Sequence, residues 1–307
     1  MTREEMIERA AAVRSRDPFP PATAEELAAL PAEQTELTLE TAGQRIHIYE
    51  LRPKAGLAAN CPLLINYHGG GYMKGRFDRD RVYCSGLAAR LGALVWDVDY
   101  SLAPEHPFPT AVEESYAAAA WAFAHAGELG VDPEQIFLLG HSAGGGLVAA
   151  VCQKAAAAKD GLVRPAAVLM EYFPADMVAD PMSKLNAEQL ADEREVRRAE
   201  TARLYNEFYC SAEVGRDPLA SPAFMSDEVL AAFPDSLILS AGKDTLCEED
   251  EVLALRMARC GVNVTLRRFQ DSPHGFTTNR MGEWQEAIAL HEAFLRAHLK
   301  GQRSGSV

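Results

Sequence analysis

The residues with the clearest chemical meaning are the five from Gly140 to Gly144, which read Gly-His-Ser-Ala-Gly. They fit the pattern G-x-S-x-G, follow the apolar run Ile136–Leu139 and precede a stretch that favours helix. A serine on a sharp turn between a strand and a helix has a strained backbone, and flanking glycines leave room for that turn. Its hydroxyl then points to the top of the sheet, near a helix N-terminus that favours negative charge. The pattern therefore predicts that Ser142 is a nucleophile.

A second glycine-rich motif, His68-Gly69-Gly70-Gly71, ends the first strong apolar strand. Successive glycines allow backbone N–H groups to approach a bound carbonyl closely. We predict that the N–H groups of Gly70 and Gly71, together with that of Ala143, hold the oxyanion of a tetrahedral intermediate. The alternative for this motif is a flexible glycine turn.

A serine hydroxyl needs an adjacent base at neutral pH, and the chain has eight histidines. We predict that the base is His274, because it lies in a turn-rich loop after the last predicted strand, where sheet topology brings it over Ser142. His141 is next to the serine but is expected to point away from it at a sharp turn, and His68 is expected to shape the glycine loop. The others are interpreted as surface or packing residues: His47, His106, His125, His291 and His298.

A histidine base needs an acid that holds it in one tautomer and stabilises its developing positive charge. Asp244 lies just after the predicted strand Leu237–Leu239. It also completes the chain order Ser, Asp, His that this arrangement uses. Three other acids are rivals, with the first of them the next choice: Glu248, Asp250 and Asp271.

Together these motifs resemble the hormone-sensitive-lipase-like esterases, the bacterial family IV group of the α/β-hydrolase superfamily. In order and spacing the resemblance covers roughly residues 60–299. It rests on His68–Gly71, Asp99–Pro109, Gly140–Gly145, Asp217–Pro222, Asp244 and His274–Phe276. The resemblance implies hydrolysis of carboxylic esters, usually with short acyl chains, through an acyl-enzyme and without a metal or an organic cofactor. A small-molecule ester is then the expected partner, and a homodimer is common among such proteins.

The sequence departs from the family pattern at three positions. His141 stands where the family often has Asp, Thr245 where it often has Pro, and Ser101 where it commonly has Arg. None of these changes removes a catalytic group, but they leave the sub-family and the substrate open. The cap is the part in which members differ most, so the resemblance does not say whether three aromatic residues line the pocket or pack the cap: Tyr205, Phe208 and Tyr209.

The elements that must position these residues alternate along the chain from residue 62 onward. Short apolar runs at 63–67, 93–98, 136–139, 166–170, 237–239 and 262–266 predict strands. Helical stretches are predicted near 80–91, 110–126, 143–159, 187–209, 247–260 and 282–299. The alternation predicts an α/β-hydrolase fold, with a mostly parallel sheet and helices on both faces, in which reacting groups gather at the carboxyl ends of the strands.

The alternation also indicates the domain organisation. Residues 53–175 and 227–307 are predicted to form the α/β core. Residues 176–226 are polar and partly helical and interrupt it, so we interpret them as a small cap; the alternative is a surface excursion without function. Residues 1–52 are predicted to contribute to the cap and to form an edge hairpin that turns near Ala42-Gly43.

Composition excludes some classes of partner. The 307 residues carry a formal net charge of −14, which is unsuited to a surface that neutralises phosphates, so neither nucleic acid nor stable membrane association is expected. The six cysteines form no C-x-x-C pair, which favours free thiols in a reducing compartment. Residues 1–30 contain no apolar signal-peptide core, and no apolar run reaches the roughly 18 residues of a membrane span. The expected location is the cytoplasm.

Two other functions use the same residues. An amidase or peptidase can use the same serine, histidine and aspartate if the leaving amine is protonated. A non-catalytic small-molecule receptor can keep the fold, although here all three residues are present. Long-chain triglyceride is disfavoured as a substrate, because the sequence has no interfacial helix rich in large apolar residues.

Overall fold

The computed structural model describes residues 2–15, 19–41 and 43–300. Its centre is an eight-stranded sheet with the strand order β1-β2-β4-β3-β5-β6-β7-β8. The strands are β1 (Ala32–Thr41), β2 (Gln44–Pro53), β3 (Cys61–Tyr67), β4 (Leu94–Asp99), β5 (Val131–His141), β6 (Val168–Glu171), β7 (Ser236–Ala241) and β8 (Val264–Phe269). The first two form an antiparallel hairpin at one edge, and β2 pairs antiparallel with β4, whereas the strands from β4 to β8 are parallel. Ala42 of the predicted hairpin turn lies outside the described residues.

Helices connect the strands and cover the sheet. They are α1 (Arg3–Arg14), α2 (Ala24–Ala28), α3 (Asp78–Leu91), α4 (Thr110–Ala124), α5 (Ala126–Leu129), α6 (Ala143–Ala158), α7 (Ala187–Leu190), α8 (Glu193–Tyr209), α9 (Asp227–Leu230), α10 (Cys247–Arg259) and α11 (Trp284–Ala297). Two 3₁₀ turns, Pro181–Lys184 and Pro222–Phe224, flank α7 and α8 in the chain. The prediction of an α/β-hydrolase fold is confirmed.

Both faces of the central strands β3 to β7 are largely buried, and side chains alternate between the two faces along each strand. On β3, Leu63 and Ile65 belong to one apolar cluster and Leu64 to the other. On β4, Trp96 and Val95 divide in the same way. A sheet buried on both sides gives a rigid platform for groups at its edge.

Two predicted elements differ in extent from those observed. The strand expected at 262–266 is β8, which begins later because the Val262 N–H still donates to the Met257 carbonyl at the end of α10. The helix expected at 187–209 is divided into α7 and α8, and a tight turn in which the Asp192 N–H donates to the Gln189 carbonyl separates the two.

Segments outside the sheet are tied to the loops at its carboxyl edge. The Arg14 guanidinium at the end of α1 donates to the backbone oxygens of Met73 and Ala103 and pairs with Glu105 at 2.6 Å.

In the described part of the chain, no helix has the length and apolar character that crossing a bilayer requires.

Candidate active site

Ser142 occupies the turn between β5 and α6 with φ 53° and ψ −126°, which is a strained backbone for a residue with a side chain. The neighbouring glycines are required by close packing. A Cβ atom at Gly140 would lie 2.2 Å from the Gly144 carbonyl oxygen, and one at Gly144 would lie 1.8 Å from the Tyr67 oxygen. The Ser142 N–H also donates to the Glu171 carbonyl at 2.9 Å. The turn is therefore held from both sides, and the position of its serine is well defined.

The structure brings the three predicted catalytic side chains into one row. His274, in the loop after β8, has its Nε2 atom 2.9 Å from Oγ of Ser142. Its Nδ1 atom lies 2.5 Å from Oδ2 of Asp244, which follows β7. When Nδ1 carries the proton and donates to Asp244, the lone pair of Nε2 faces the serine hydroxyl. This geometry suits removal of the serine proton by His274.

The rival acids lie elsewhere. Asp250 is buried and accepts the Phe173 N–H at 3.2 Å, and burial, followed by the charges of Glu249 and Asp244, raises its pKa well above the usual value. Asp271 is exposed and pairs with Lys243 at 3.4 Å. Glu248 is exposed on α10. Among the described residues, Asp244 is the only one of these candidate acids that forms a hydrogen bond with the imidazole of His274.

The glycine loop has an unusual backbone. Gly70, Gly71 and Tyr72 have successive positive φ values of 125°, 60° and 61°. The Gly70 carbonyl accepts the N–H groups of Met73 and Lys74, so the loop closes on itself. Ala143 is the first residue of α6, where backbone N–H groups lack an intrahelical acceptor. Gly70, Gly71 and Ala143 line the same cavity as Ser142.

His141 lies behind this loop and not in the row formed by Ser142, His274 and Asp244. It is buried, and its Nε2 atom lies 2.9 Å from Oδ1 of Asp80 and 3.0 Å from N of Gly69. Burial favours the neutral imidazole, but the hydrogen bond and the charge of Asp80 outweigh it and raise the pKa of His141. Burial likewise opposes the charge of Asp80, while the hydrogen bond to His141 lowers its pKa. The Asp80 carboxylate and the Gly69 N–H therefore both meet His141 at Nε2.

Sequence reasoning missed Asp80, which lies on α3, far from the serine motif in the chain. No local motif marks it, and only the packing of α3 against the end of β5 brings it to His141. His68 lies in the glycine loop as predicted from the sequence: its ring stacks on Tyr100 at 4.3 Å and its Nδ1 atom lies 2.7 Å from the Gly69 oxygen.

Known proteins with similar sequences or structures identify the family. A family model described as alpha/beta hydrolase fold matches residues 64–278. Carboxylic ester hydrolase LipN of Mycobacterium tuberculosis is 34% identical over 272 residues, which cover 86% of this chain and 70% of LipN. Hormone-sensitive lipase of Homo sapiens is 36% identical over 162 residues, 52% of this chain and 15% of that protein. The crystal structure of EstE1, a thermostable carboxylesterase cloned from a metagenomic library, has a TM-score of 0.79 at 30% identity and covers 97% of this chain and 96% of that one.

This chain belongs to the α/β-hydrolase fold family. The resemblance to the hormone-sensitive-lipase-like group is confirmed by the match to hormone-sensitive lipase together with the mycobacterial ester hydrolase.

The cavity at the candidate active site of this α/β hydrolase has a volume of about 430 Å³ and is lined by Ser142 and His274. Tyr205 of α8 lines it and packs on the glycine loop, since a Cβ atom at Gly71 would lie 2.3 Å from Cδ2 of Tyr205. Phe208 and Tyr209 are buried on another side of α8 and do not line this cavity. The structure thus answers the question that the sequence left open about these three aromatic residues.

No cluster of three or more His, Cys, Asp or Glu side chains suited to a metal ion occurs among residues 2–15, 19–41 and 43–300.

Proposed function

We propose that this chain is a carboxylesterase that hydrolyses short-acyl esters, of acetyl to butyryl size, with Ser142 as nucleophile, His274 as base and Asp244 as the acid behind it. The observation that carries the proposal is the hydrogen-bonded row of these three side chains, with distances of 2.9 Å and 2.5 Å. The names of the relatives support the same reaction class.

In the proposed reaction, the Ser142 Oγ atom attacks the ester carbonyl carbon while the Nε2 atom of His274 takes its proton. The carbonyl π electrons move to oxygen, and the N–H groups of Gly70, Gly71 and Ala143 donate hydrogen bonds to the oxyanion. The intermediate collapses, and the leaving alcohol takes the proton from His274. Water then attacks the acyl-enzyme with the same base, and the acid and the free serine are released.

Asp244 stabilises the imidazolium that forms at each step. Its side chain is 6% exposed, compared with 30% for His274, so the carboxylate acts in a medium where water screens it little. It keeps the imidazole in the tautomer that presents a lone pair to the serine.

The decisive experiment compares Ser142→Ala with Ser15→Ala, which changes an exposed serine at the end of α1. The first variant is expected to keep its fold by circular dichroism, to lose hydrolysis of p-nitrophenyl acetate and to lose labelling by a fluorophosphonate probe. The second is expected to keep both. Near-normal turnover in a folded Ser142→Ala variant would contradict the proposal.

The short-acyl preference rests on the size of the cavity and on Tyr205, which closes over Gly71. A series of p-nitrophenyl esters from acetate to palmitate is expected to show its highest kcat/KM at two to four carbons. A long-chain optimum would contradict this part of the proposal. Matched esters and anilides measured in parallel separate an esterase from an amidase.

We also propose the division into cap and core. Residues 176–226 and 1–52 both contribute to the wall of the candidate cavity, through Tyr205 of α8 and through Phe19, Pro21 and Ala22, whereas 53–175 and 227–307 contain the sheet strands β3 to β8. Deletion of 176–226 with a short linker is expected to expose Ser142 and to broaden the range of esters hydrolysed.

A homodimer and a cytoplasmic location belong to the proposal as well. The edge strand β8 has four consecutive exposed residues, Thr265 to Arg268, and an open strand edge can pair with a second copy. Light scattering after size exclusion tests the dimer. All six cysteines have free thiols, which a reducing compartment favours, and fractionation of the source cells tests the location.

A further inference from the structure

A second cavity, more open to solvent than the catalytic one, lies on another side of α8. Its volume is about 950 Å³, and it lies between α1, the loop at Pro104 and Pro107, and residues of the cap insertion. Apolar groups make up much of its wall, including Met6 of α1 and Phe208 of α8. The catalytic row does not reach it, since neither Ser142 nor His274 lines it.

The two cavities share part of their lining. Met177 and Asn206 line both of them. Beside these residues, Tyr72 faces the catalytic cavity and stacks at 3.7 Å on Tyr209, which faces the second cavity. We call these four residues the partition. Because Tyr72 follows Gly71 directly, the partition begins at the loop proposed to hold the oxyanion.

The two halves of the partition differ in how firmly they are held. Tyr72 and Tyr209 are almost fully buried, and the Tyr209 carbonyl accepts the Phe108 N–H at 2.8 Å. The contact between Asn206 Nδ2 and the Met177 oxygen is 3.5 Å, which is long for a hydrogen bond. The Met177 side chain has three rotatable bonds and adapts its shape readily.

The backbone of Met177 is nevertheless fixed, because its N–H donates to Ser221 Oγ at 2.9 Å and that hydroxyl donates to the Gly215 oxygen at 2.6 Å. Met177 therefore combines a hydrogen-bonded backbone with a side chain that can change rotamer. Asn206, the other residue that lines both cavities, makes the long contact of 3.5 Å with the Met177 oxygen.

We propose that the second cavity is a latent subsite, which receives the distal part of an aliphatic acyl chain when the side chains of Met177 and Asn206 no longer separate the two cavities. The inference rests on the proposed esterase function and deepens it. The leaving alcohol must lie near His274, which protonates it. The partition begins at Tyr72, beside the proposed oxyanion loop, so we assign the acyl chain, and not the alcohol, to that side. The short-acyl preference then arises from the closed partition, and not from lack of space beyond it.

The test measures kcat/KM for p-nitrophenyl butyrate and octanoate in the full-length chain. Met177→Ala opens the partition, and each methylene that gains burial favours the longer ester by about fourfold. The octanoate-to-butyrate ratio is expected to rise by about tenfold or more in this variant, since part of the chain stays hydrated. Asn206→Ala provides a second, independent opening, in case Met177→Ala fails to fold, and is expected to change the ratio in the same direction.

A filling variant locates the chain. Ala179 lines the second cavity but not the catalytic one. Adding Ala179→Trp to Met177→Ala is expected to cancel the gain for octanoate. Ala258→Trp, at an exposed position of α10 that lines neither cavity, is the matched control and is expected to leave the gain intact.

Three results would overturn the inference. The first is an unchanged octanoate-to-butyrate ratio in folded Met177→Ala and Asn206→Ala variants, and the second is a gain for octanoate that Ala179→Trp does not reduce. The third is a gain for octyl acetate over butyl acetate, which differ in the alcohol, without a gain for octanoate over butyrate. Failure of the esterase proposal looks different, because the unmodified chain would then lack Ser142-dependent hydrolysis of butyrate altogether.

Discussion

Replacing Gly71 by alanine tests the geometry of the proposed oxyanion loop more sharply than replacing one of the proposed catalytic side chains. Gly71 has φ 60°, and an added Cβ atom would lie 2.3, 2.8 and 2.9 Å from Cδ2, Cγ and Cε2 of the Tyr205 ring. The left-handed backbone costs an alanine roughly 1–2 kcal/mol. The contact with the ring adds to this, because real Cβ atoms do not approach other atoms so closely. The strain is relieved if the loop moves away from α8.

A displaced loop no longer aims its N–H groups at the oxyanion. Loss of one such donor costs about 2.7–4 kcal/mol of transition-state stabilisation, which corresponds to a decrease in kcat of about 10²–10³-fold. The assay is kcat for p-nitrophenyl acetate together with the thermal unfolding temperature. KM is expected to change much less than kcat, because the oxyanion forms only in the transition state.

Two controls separate the causes. Gly92 also has φ 60° but nothing lies within 4 Å of its added Cβ atom, so Gly92→Ala measures the backbone cost alone and is expected to keep full kcat. Adding Tyr205→Ala to Gly71→Ala removes the collision. The kcat of this double variant is therefore expected to approach the kcat of Tyr205→Ala alone. Full activity in Gly71→Ala, or no recovery in the double variant, would refute the reasoning.

The remaining predictions concern two buried acids. Asp244→Asn is expected to lower kcat by on the order of 10⁴-fold by favouring the wrong imidazole tautomer, whereas Asp271→Asn, at an exposed acid, should leave kcat nearly unchanged; steady-state kinetics of both variants decides. Asp80→Asn removes one partner of a buried pair and is expected to lower the free energy of unfolding by about 3–5 kcal/mol. Because the pKa of Asp80 is lowered and that of His141 is raised, the pair stabilises most between about pH 4 and 6.5. Its contribution falls as pH drops through the Asp80 pKa or rises through the His141 pKa. The difference in the free energy of unfolding between Asp80→Asn and the parent, measured by urea unfolding, should therefore be larger at about pH 5.5 than at about pH 9. An equal difference at the two pH values would contradict this account.

The sequence by itself determined the fold and the local turns. Apolar runs of strand length mark the sheet because a strand buried on both faces must be apolar throughout, and this prediction of the α/β-hydrolase fold is confirmed. The motif G-x-S-x-G predicts the strained turn at Ser142, because only glycines tolerate the contacts around it. A Cβ atom at Gly144, for example, would lie 1.8 Å from the Tyr67 oxygen. These signals are local, so a short window of sequence contains them.

Tertiary structure alone decided which distant groups meet. Asp244 and its rival Asp250 lie close together in the sequence, yet one carboxylate reaches His274 and the other is buried against Phe173. Asp80 joins His141 through the packing of α3, with no motif to announce it. The cavities on the two sides of α8 likewise have no counterpart in the sequence, because a cavity is a gap between segments. Such features depend on how the sheet twists and its helices dock, and residue types at fixed spacings do not encode that.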